Sequence, residues 1–509
     1  MTDVFMGTAE PAGGGGAGDK GLKGGALGML SSVVIGVAST APGYSLAATL
    51  GFVIAVVGVK SPAIMVAAFV PMGLSAAAYY YLNRADPDCG TSFSWCTRAF
   101  GPMTGWLSGW AVIIADLLVM GSLADIAGSY TFKLLGADGL ADSQNWVMVL
   151  GVLFIAAMTY ICYVGIEVSA RTQYGLLAME FVTLFAFAAV ALGKVAFSDP
   201  ANAITPSLGW LWPSGISASD FTEGILLAIF IYWGWDTCVS VNEESEDSTR
   251  APGKAAVIST LVLLAIYVVV TFAAQAFGGV ASLADSDDVL SILAHDVLGP
   301  FDRLLIIAVL TSAAASTQTT ILPAARTQLS MAAKKAIPSY FGEINPKGLT
   351  PGTSTVWFGI ISVVWYVGLT KLSGNILEDS LLSLGLMIAF YLGITGFACV
   401  WYYRQHVFDS AQRFVSFALL PGLSGVLLFG VFVKSVLDYL DPDNEDVSTH
   451  IFGLAGPVAI ALGLMVLGLV LMLVQRRFDP EFFRRRAELP TEDIVAGRAV
   501  AEGTLFIPE

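Results

Sequence analysis

Twelve apolar runs, at residues 26–57, 62–83, 103–132, 145–164, 172–196, 221–245, 254–278, 303–333, 354–371, 380–403, 412–437 and 452–474, leave this chain few ways to fold outside a bilayer. Each is close to or above the ~20 residues that an α-helix needs to cross the hydrocarbon core. Lipid offers no partner for a bare N–H or carbonyl, so runs of this length must satisfy their backbones as helices. Charged residues make up 13% of the chain, against about a quarter in a soluble domain. The expected fold class is an all-α membrane protein with twelve transmembrane helices. No basic tract followed by a short apolar core and a small-residue cleavage site precedes the first run, so the first helix is expected to serve as both address and anchor.

Lys and Arg set the orientation of such a protein. With the N-terminus inside, Lys60, Lys133, Lys194, Arg303, Lys371 and Lys434 fall outside, and the other nineteen of the 25 basic residues fall on the inner side. Both termini are therefore expected in the cytoplasm and the protein in the cell membrane. The net charge of −15 lies mostly in loops and tails, and points to no nucleic-acid partner. Residues 1–24, with their run of four glycines, read as a flexible cytoplasmic tail. Residues 476–509 open on Arg476 and Arg477 and add Arg484 to Arg486, a composition suited to anionic lipid headgroups. Of five cysteines only Cys89 and Cys96 are close, which suits a reduced loop better than a metal site.

Two of the runs are interrupted. In the first, at Ser39-Thr40-Ala41-Pro42-Gly43, Pro42 lacks an N–H and Gly43 tolerates unusual backbone angles, so the helix is expected to open there. The second half-helix then aims free N–H groups and a positive dipole end into the membrane, a seat for an anionic group. In the sixth, Tyr232-Trp233-Gly234-Trp235-Asp236 sets a carboxylate about halfway across, where charge is costly and marks a path or a site. Unwinding there frees carbonyls, which persist only against protein, water or a ligand. A proline kink alone is common in membrane helices; two breaks in corresponding places point to a transporter with its site at mid-membrane. Donors at one break and acceptors at the other would meet the two ends of a ligand. The substrate-binding candidates are Ser39, Thr40, Ala41, Gly43, Phe230, Trp233 and Gly234, with Phe230 as an aromatic gate. Five spans separate the breaks, an odd number, so the second set enters from the opposite side. An inverted repeat of residues 25–200 (helices 1–5) and 201–404 (helices 6–10) follows, with helices 11 and 12 at 405–475.

In its sixth run and the loop after it the chain carries Tyr232, Trp233, Gly234, Trp235, Asp236, Glu243, Glu244, Arg250 and Pro252. After the second run it reads PDCGTSFSWCTRAFG, and past the eighth it has Arg326, Met331-Ala332, Pro338 and Phe341. In the order and spacing of these motifs the chain resembles the amino acid–polyamine–organocation (APC) superfamily over most of its first ten helices. The resemblance implies a LeuT-like five-plus-five fold. Thr91 stands where the superfamily usually has a second Gly, and Thr40-Ala41-Pro42 where it commonly has Gly-Ser-Gly or Gly-Thr-Gly. The proline removes one donor from the cradle of a substrate carboxylate, for which Gly43 and the hydroxyls of Ser39 and Thr40 would compensate.

Three acids fall inside the spans. Asp116 lies about 13 residues, or roughly 20 Å, into the third helix, where the resemblance to arginine-transporting relatives implies a polar substrate contact. Glu180, in the fifth, stands where many relatives carry a lysine that replaces a sodium ion between helices 1, 5 and 8. Asp236 matches an acid implicated in proton coupling. Ser316 completes the coupling set, on a stripe with Ser312, Thr319 and Pro323 down one face of the eighth helix. That stripe would hydrate an ion, satisfy the broken backbone of helix 1, or simply pack.

These features predict a secondary active transporter of amino acids or polyamines that works by alternating access, with a tilt to cationic substrates and a proton favoured over sodium as the coupling ion. A neutral amino acid permease or exchanger and a non-transporting substrate receptor are the alternatives. No nucleophile, metal cluster or phosphate loop falls among the spans, so neither an enzyme nor a cofactor is expected.

Overall fold

The computed structural model describes residues 20–198, 200–284, 286, 288–372, 374–441, 449–484 and 492–495. Residues 1–19 of the expected N-terminal tail, Asp285, Asp287, the acidic stretch 442–448 and the arginines Arg485, Arg486 and Arg498 lie outside the described residues. In chain order the helices are α1 (Met29–Ser39), α2 (Pro42–Val57), α3 (Ser61–Ala85), α4 (Ser92–Phe100), α5 (Pro102–Leu134), α6 (Asp138–Ala141), α7 (Gln144–Val164), α8 (Ile166–Phe197), α9 (Ala218–Ile229), α10 (Thr237–Ser240), α11 (Ala251–Gly278), α12 (Val289–Leu298), α13 (Arg303–Ala333), α14 (Gly352–Leu372), α15 (Gly374–Tyr402), α16 (Ala411–Phe414), α17 (Leu420–Tyr439), α18 (Gly456–Phe478) and α19 (Glu492–Val495). A short hairpin pairs His450–Ile451 with Leu454–Ala455 ahead of α18.

Ten helical stretches among the described residues are long and apolar enough to cross a membrane. One of them, Met29–Ala85, holds α1, α2 and α3 and so contains the first two apolar runs. The sixth run is broken into pieces too short to count alone, α9 and α10 with a 3₁₀ turn at Phe230–Tyr232 between them. The protein is a multi-pass membrane protein. Outward faces carry Val182, Val364 and Val466, exposed apolar side chains of the kind that lipid covers.

Prolines mark where several helices begin. Pro42, Pro102 and Pro252 sit in the first turns of α2, α5 and α11, where a missing N–H costs no hydrogen bond. At the start of the eleventh run Pro421 cannot donate to the carbonyl four residues back, and the preceding turn, Val415–Leu419, widens into a π-helix. Besides the four-residue α6 and α19, two longer helices fall where the sequence reading had loops. One is α4, whose residues are buried apart from Phe100; the other is α12, which carries His295 in its last turn.

At one end of the bundle, ion pairs lace the elements together. Arg326 of α13 grips Glu244 with two bonds of 2.6 and 2.8 Å, both residues buried. Arg98 of α4 binds Asp86 at 2.5 Å. Residues entering α1 join the same end: Ala26 and Leu27 donate to the Glu244 carbonyl, and Glu246 donates back to Leu27. The segment after α18, expected at lipid headgroups, starts on protein, with Phe482 fully buried against the ring of Phe93.

Candidate substrate cavity and coupling site

The first break falls at Thr40 and Ala41. The residue before a proline is pushed out of the right-handed helical region, and Ala41 adopts φ 48°, ψ 61°, a left-handed conformation. The unusual angles thus land on Ala41 rather than on Gly43, whose residue already belongs to α2. Left-handed backbone costs an alanine about 1–2 kcal/mol, so the surroundings must hold it. They do so from three sides. Ser316 Oγ donates to the Ser39 carbonyl at 2.8 Å, Ser45 Oγ donates to the Thr40 carbonyl at 2.8 Å, and the hydroxyls of Ser39 and Thr237 lie 2.8 Å apart.

The donors of the second half-helix are also taken. Gly43 donates its N–H to Glu180 Oε1 at 2.6 Å, and Tyr44 donates to Ser312 Oγ at 3.2 Å. Pro42 has none to give. The carboxylate seated on this positive helix end belongs to the protein itself. Glu180 is wholly buried, and its Oε2 has no hydrogen-bond partner among the described residues.

In the sixth run α9 ends at Ile229, Trp233 is extended (φ −74°, ψ 149°), and Gly234 has φ +112°. A Cβ on Gly234 would lie 2.7 Å from the Ser39 carbonyl oxygen, so the two breaks touch through a position that admits only glycine. Of the carbonyls expected to face a ligand, that of Phe230 accepts from Trp233 N–H at 3.0 Å and that of Ile231 from the Tyr267 hydroxyl at 2.5 Å.

Between the breaks lies a cavity of about 250 Å³. Ser39, Thr40, Ala41, Phe230, Trp233 and Ser316 line it, along with Tyr44, Ser45, Thr49, Ile231 and, from α5, Val119 and Leu123. Gly43, Gly234, Asp116, Glu180 and Asp236 stand behind this lining. Asp116 is one turn from Val119 on the same face of α5, 3% exposed, with Oδ2 unpartnered among the described residues. Asp236 accepts from the Tyr391 hydroxyl at 2.8 Å, and that hydroxyl in turn accepts from Trp233 Nε1 at 2.5 Å, so a cavity-wall indole is tied to a buried carboxylate. A wider vestibule of about 520 Å³ shares Leu227, Phe230, Leu382 and Tyr439 with the cavity and leads out past Glu223, Lys434 and Asp438.

Residues 26–474 match the sequence profile of amino acid permeases. The chain belongs to that family. It is 24% identical over 350 residues to a protein of Arabidopsis thaliana named cationic amino acid transporter 4, vacuolar, covering 65% of this chain and 56% of that one. It is 24% identical over 370 residues to the arginine/ornithine antiporter of Latilactobacillus sakei, covering 69% and 74%. With the low-affinity putrescine importer PlaP of Escherichia coli it shares 22% over 452 residues, covering 87% and 93%. The chain thus spans little more than half the length of the plant relative and nearly all of the bacterial importer. All three are transporters of the APC superfamily.

At the charged end of this permease, further ion pairs tie the segment entering α1 and the end of α13 to the loop before α4. Lys20 Nζ reaches Asp88 at 3.1 Å and also binds Glu243, while Lys334 binds Asp88 at 2.8 Å. Burial pushes the Asp88 carboxyl up, but the two ammonium groups outweigh it and hold the acid well below the usual range. Burial likewise pulls Lys20 down, and Asp88 and Glu243 more than restore it, leaving it well above its ordinary value. Asp88, Cys89 and Glu243 bring three metal-ligand atoms within 4.8 Å of one another, but the Lys20 ammonium already satisfies both carboxylates. All five cysteines are free and buried.

The sequence reading missed Tyr44, Tyr267 and Tyr391. Each is one aromatic among many in an apolar run, and nothing local separates a tyrosine whose hydroxyl caps a broken backbone from one that packs.

Proposed function

We propose that this permease moves a small organic cation, an amine or polyamine before a basic amino acid, across the cell membrane by alternating access coupled to protons. The observation that carries the reading is the occupied helix end. An amino acid substrate needs a seat for its α-carboxylate, and the N–H groups that would supply one are bound to Glu180 and Ser312. What the cavity offers instead is hydroxyls and the aromatic faces of Tyr44, Phe230 and Trp233, which suit an ammonium group. Asp116, one turn deeper with a free oxygen, would meet that cation as it moves inward. The chain spans 87% of its length in the match to a putrescine importer, which supports the same class.

The fold that serves this mechanism is twelve crossings, with the breaks in the first and sixth related by an inverted repeat and helices 11 and 12 outside it. Both termini lie in the cytoplasm, so the end carrying Lys20 and Asp88 is the inner gate. Protons act through Glu180 and Asp236, with Ser316 holding the break between them. The protein does no covalent chemistry.

A neutral amino acid is the second reading, because no carboxylate lines the cavity. Uptake of labelled putrescine, arginine and alanine into proteoliposomes under an imposed pH gradient separates the two. Saturable putrescine uptake that exceeds both amino acids is expected. Alanine uptake that putrescine fails to inhibit would overturn the reading.

A further inference from the structure

We infer that the inner end of the bundle carries a binding site for the phosphate of an anionic phospholipid, between α3 and the start of the eleventh run. A cavity of about 340 Å³ there is lined by Tyr80, Tyr81, Arg84, Ser410, Gln412, Arg413, Ser416 and Phe417, with Val495 of α19 at its edge. Two guanidinium groups, an amide and several hydroxyls converge on one space. Arginine in this setting recognises phosphate, because its planar fork matches two of the anion's oxygens.

Arg84 is the deciding residue. Its Nε is shut off from solvent with no acceptor, and no described carboxylate pairs with its guanidinium. A buried donor without a partner is costly, and an anion in the cavity supplies one. Arg413 is less available: it pairs with Asp409, which also lies 3.1 Å from His406 Nδ1. Ser410 Oγ accepts the Arg413 N–H at 3.1 Å, and Ser416 Oγ accepts from the Tyr81 hydroxyl at 2.9 Å. Both hydroxyls keep their own protons free to turn into the cavity.

Exposed aromatics in the chain that leads to and flanks Arg413 point to a lipid rather than to an anion in solution. Phe408 is 84% exposed and Phe414 40% exposed, and the two rings stack with centroids 6.0 Å apart. Trp401, also exposed, lies beneath the Arg404 guanidinium at 4.5 Å. Exposed aromatics beside arginines are what a headgroup boundary selects: rings enter the acyl region and cations stay at the phosphates. The site shares no lining residue with the substrate cavity.

Native mass spectrometry of the full-length protein in detergent tests the proposal, with phosphatidylglycerol, phosphatidylcholine and inorganic phosphate titrated separately. Wild type should retain phosphatidylglycerol over phosphatidylcholine, and Arg84→Gln should weaken that retention about fivefold, the effect of removing one basic residue from an anionic surface. Arg84→Lys should fall between them, since it keeps the charge and loses the fork. Unchanged substrate binding by each variant checks that it has folded. Equal retention by wild type and Arg84→Gln would overturn the site. Arg84-dependent thermal stabilisation by inorganic phosphate, without selective lipid retention, would overturn the lipid as its occupant.

Discussion

Replacing Gly234 with Ala tests whether contact between the two broken helices holds the cavity together. At φ +112° an added side chain is strained before any neighbour is considered, at a cost of about 1–3 kcal/mol. The new methyl would also lie 2.7 Å from the Ser39 carbonyl oxygen and 2.8 Å from its carbon, both main-chain atoms that no rotamer change can move. Such overpacking costs about 1–3 kcal/mol. The sum, about 2–6 kcal/mol, is a large share of the ~5–15 kcal/mol that holds a typical protein folded. If the breaks part to relieve the clash, Ser39 loses the Ser316 and Thr237 contacts, both at 2.8 Å, that hold the first break. Thermal unfolding in detergent and saturation binding of substrate read the two outcomes. Gly368→Ala, with nothing within 4 Å of the added carbon, is the control. A Gly234→Ala protein as stable as that control, with unchanged substrate affinity, would refute the view that the breaks are packed against each other.

Three further outcomes follow from the same geometry. Glu180→Gln keeps an acceptor for Gly43 N–H and loses the charge, so it should exchange substrate across liposomes yet fail to accumulate it under a pH gradient; accumulation equal to wild type would make Glu180 structural. Asp116→Asn should weaken cationic ligands about tenfold or more and neutral ones little, since a desolvated charge pair is what distinguishes them; equal loss in competition binding would remove Asp116 from the substrate path. Lys20→Met strips a part-buried partner from Asp88 and Glu243 while Asp88 keeps Lys334, and should raise the inward leak of substrate. The depressed Asp88 makes its contribution above the unfolded carboxylate value, ~3.9, and loses it as pH falls through the lower folded one. The raised Lys20 makes its contribution below ~10.4 and loses it as pH rises through the higher folded one. The Lys20–Asp88 pair is therefore constant from about pH 5 upward through neutrality, whereas burial lowers the second partner, Lys334, and brings the alkaline edge of the lock down; Lys20→Met should leave the acid side of the pH–transport curve unchanged, and a shift there would mean that the gate itself senses protons.

The sequence exposed what the backbone must do more readily than which side chains do it. Pro42 announces a missing donor and Asp236 a misplaced charge, so both breaks could be found to within a few residues. Within the expected opening from Ser39 to Gly43, the left-handed conformation falls on Ala41, because proline imposes its restriction on the residue before it. The partners of the break come from 137 and 277 positions further along the chain, Glu180 and Ser316, and no local pattern names them. The helices α4 and α12 were hidden for a different reason, α4 being short and polar and α12 apolar but too short to register as a span.

Glu180 shows how a sequence anomaly becomes a mechanism. Where the superfamily resemblance implies a lysine, a carboxylate poses a problem as long as the fifth helix is considered alone. Set against the start of α2 the problem changes sign, because the positive end of a helix stabilises an anion and would repel an ammonium group. One oxygen caps Gly43 and the other is unpartnered. A proton can arrive at that second oxygen while the first keeps its hydrogen bond, so the break stays capped in both states and only the charge at the helix end alters. On the proposed proton coupling, Glu180 is the group that takes up and gives back the proton while the first break stays capped.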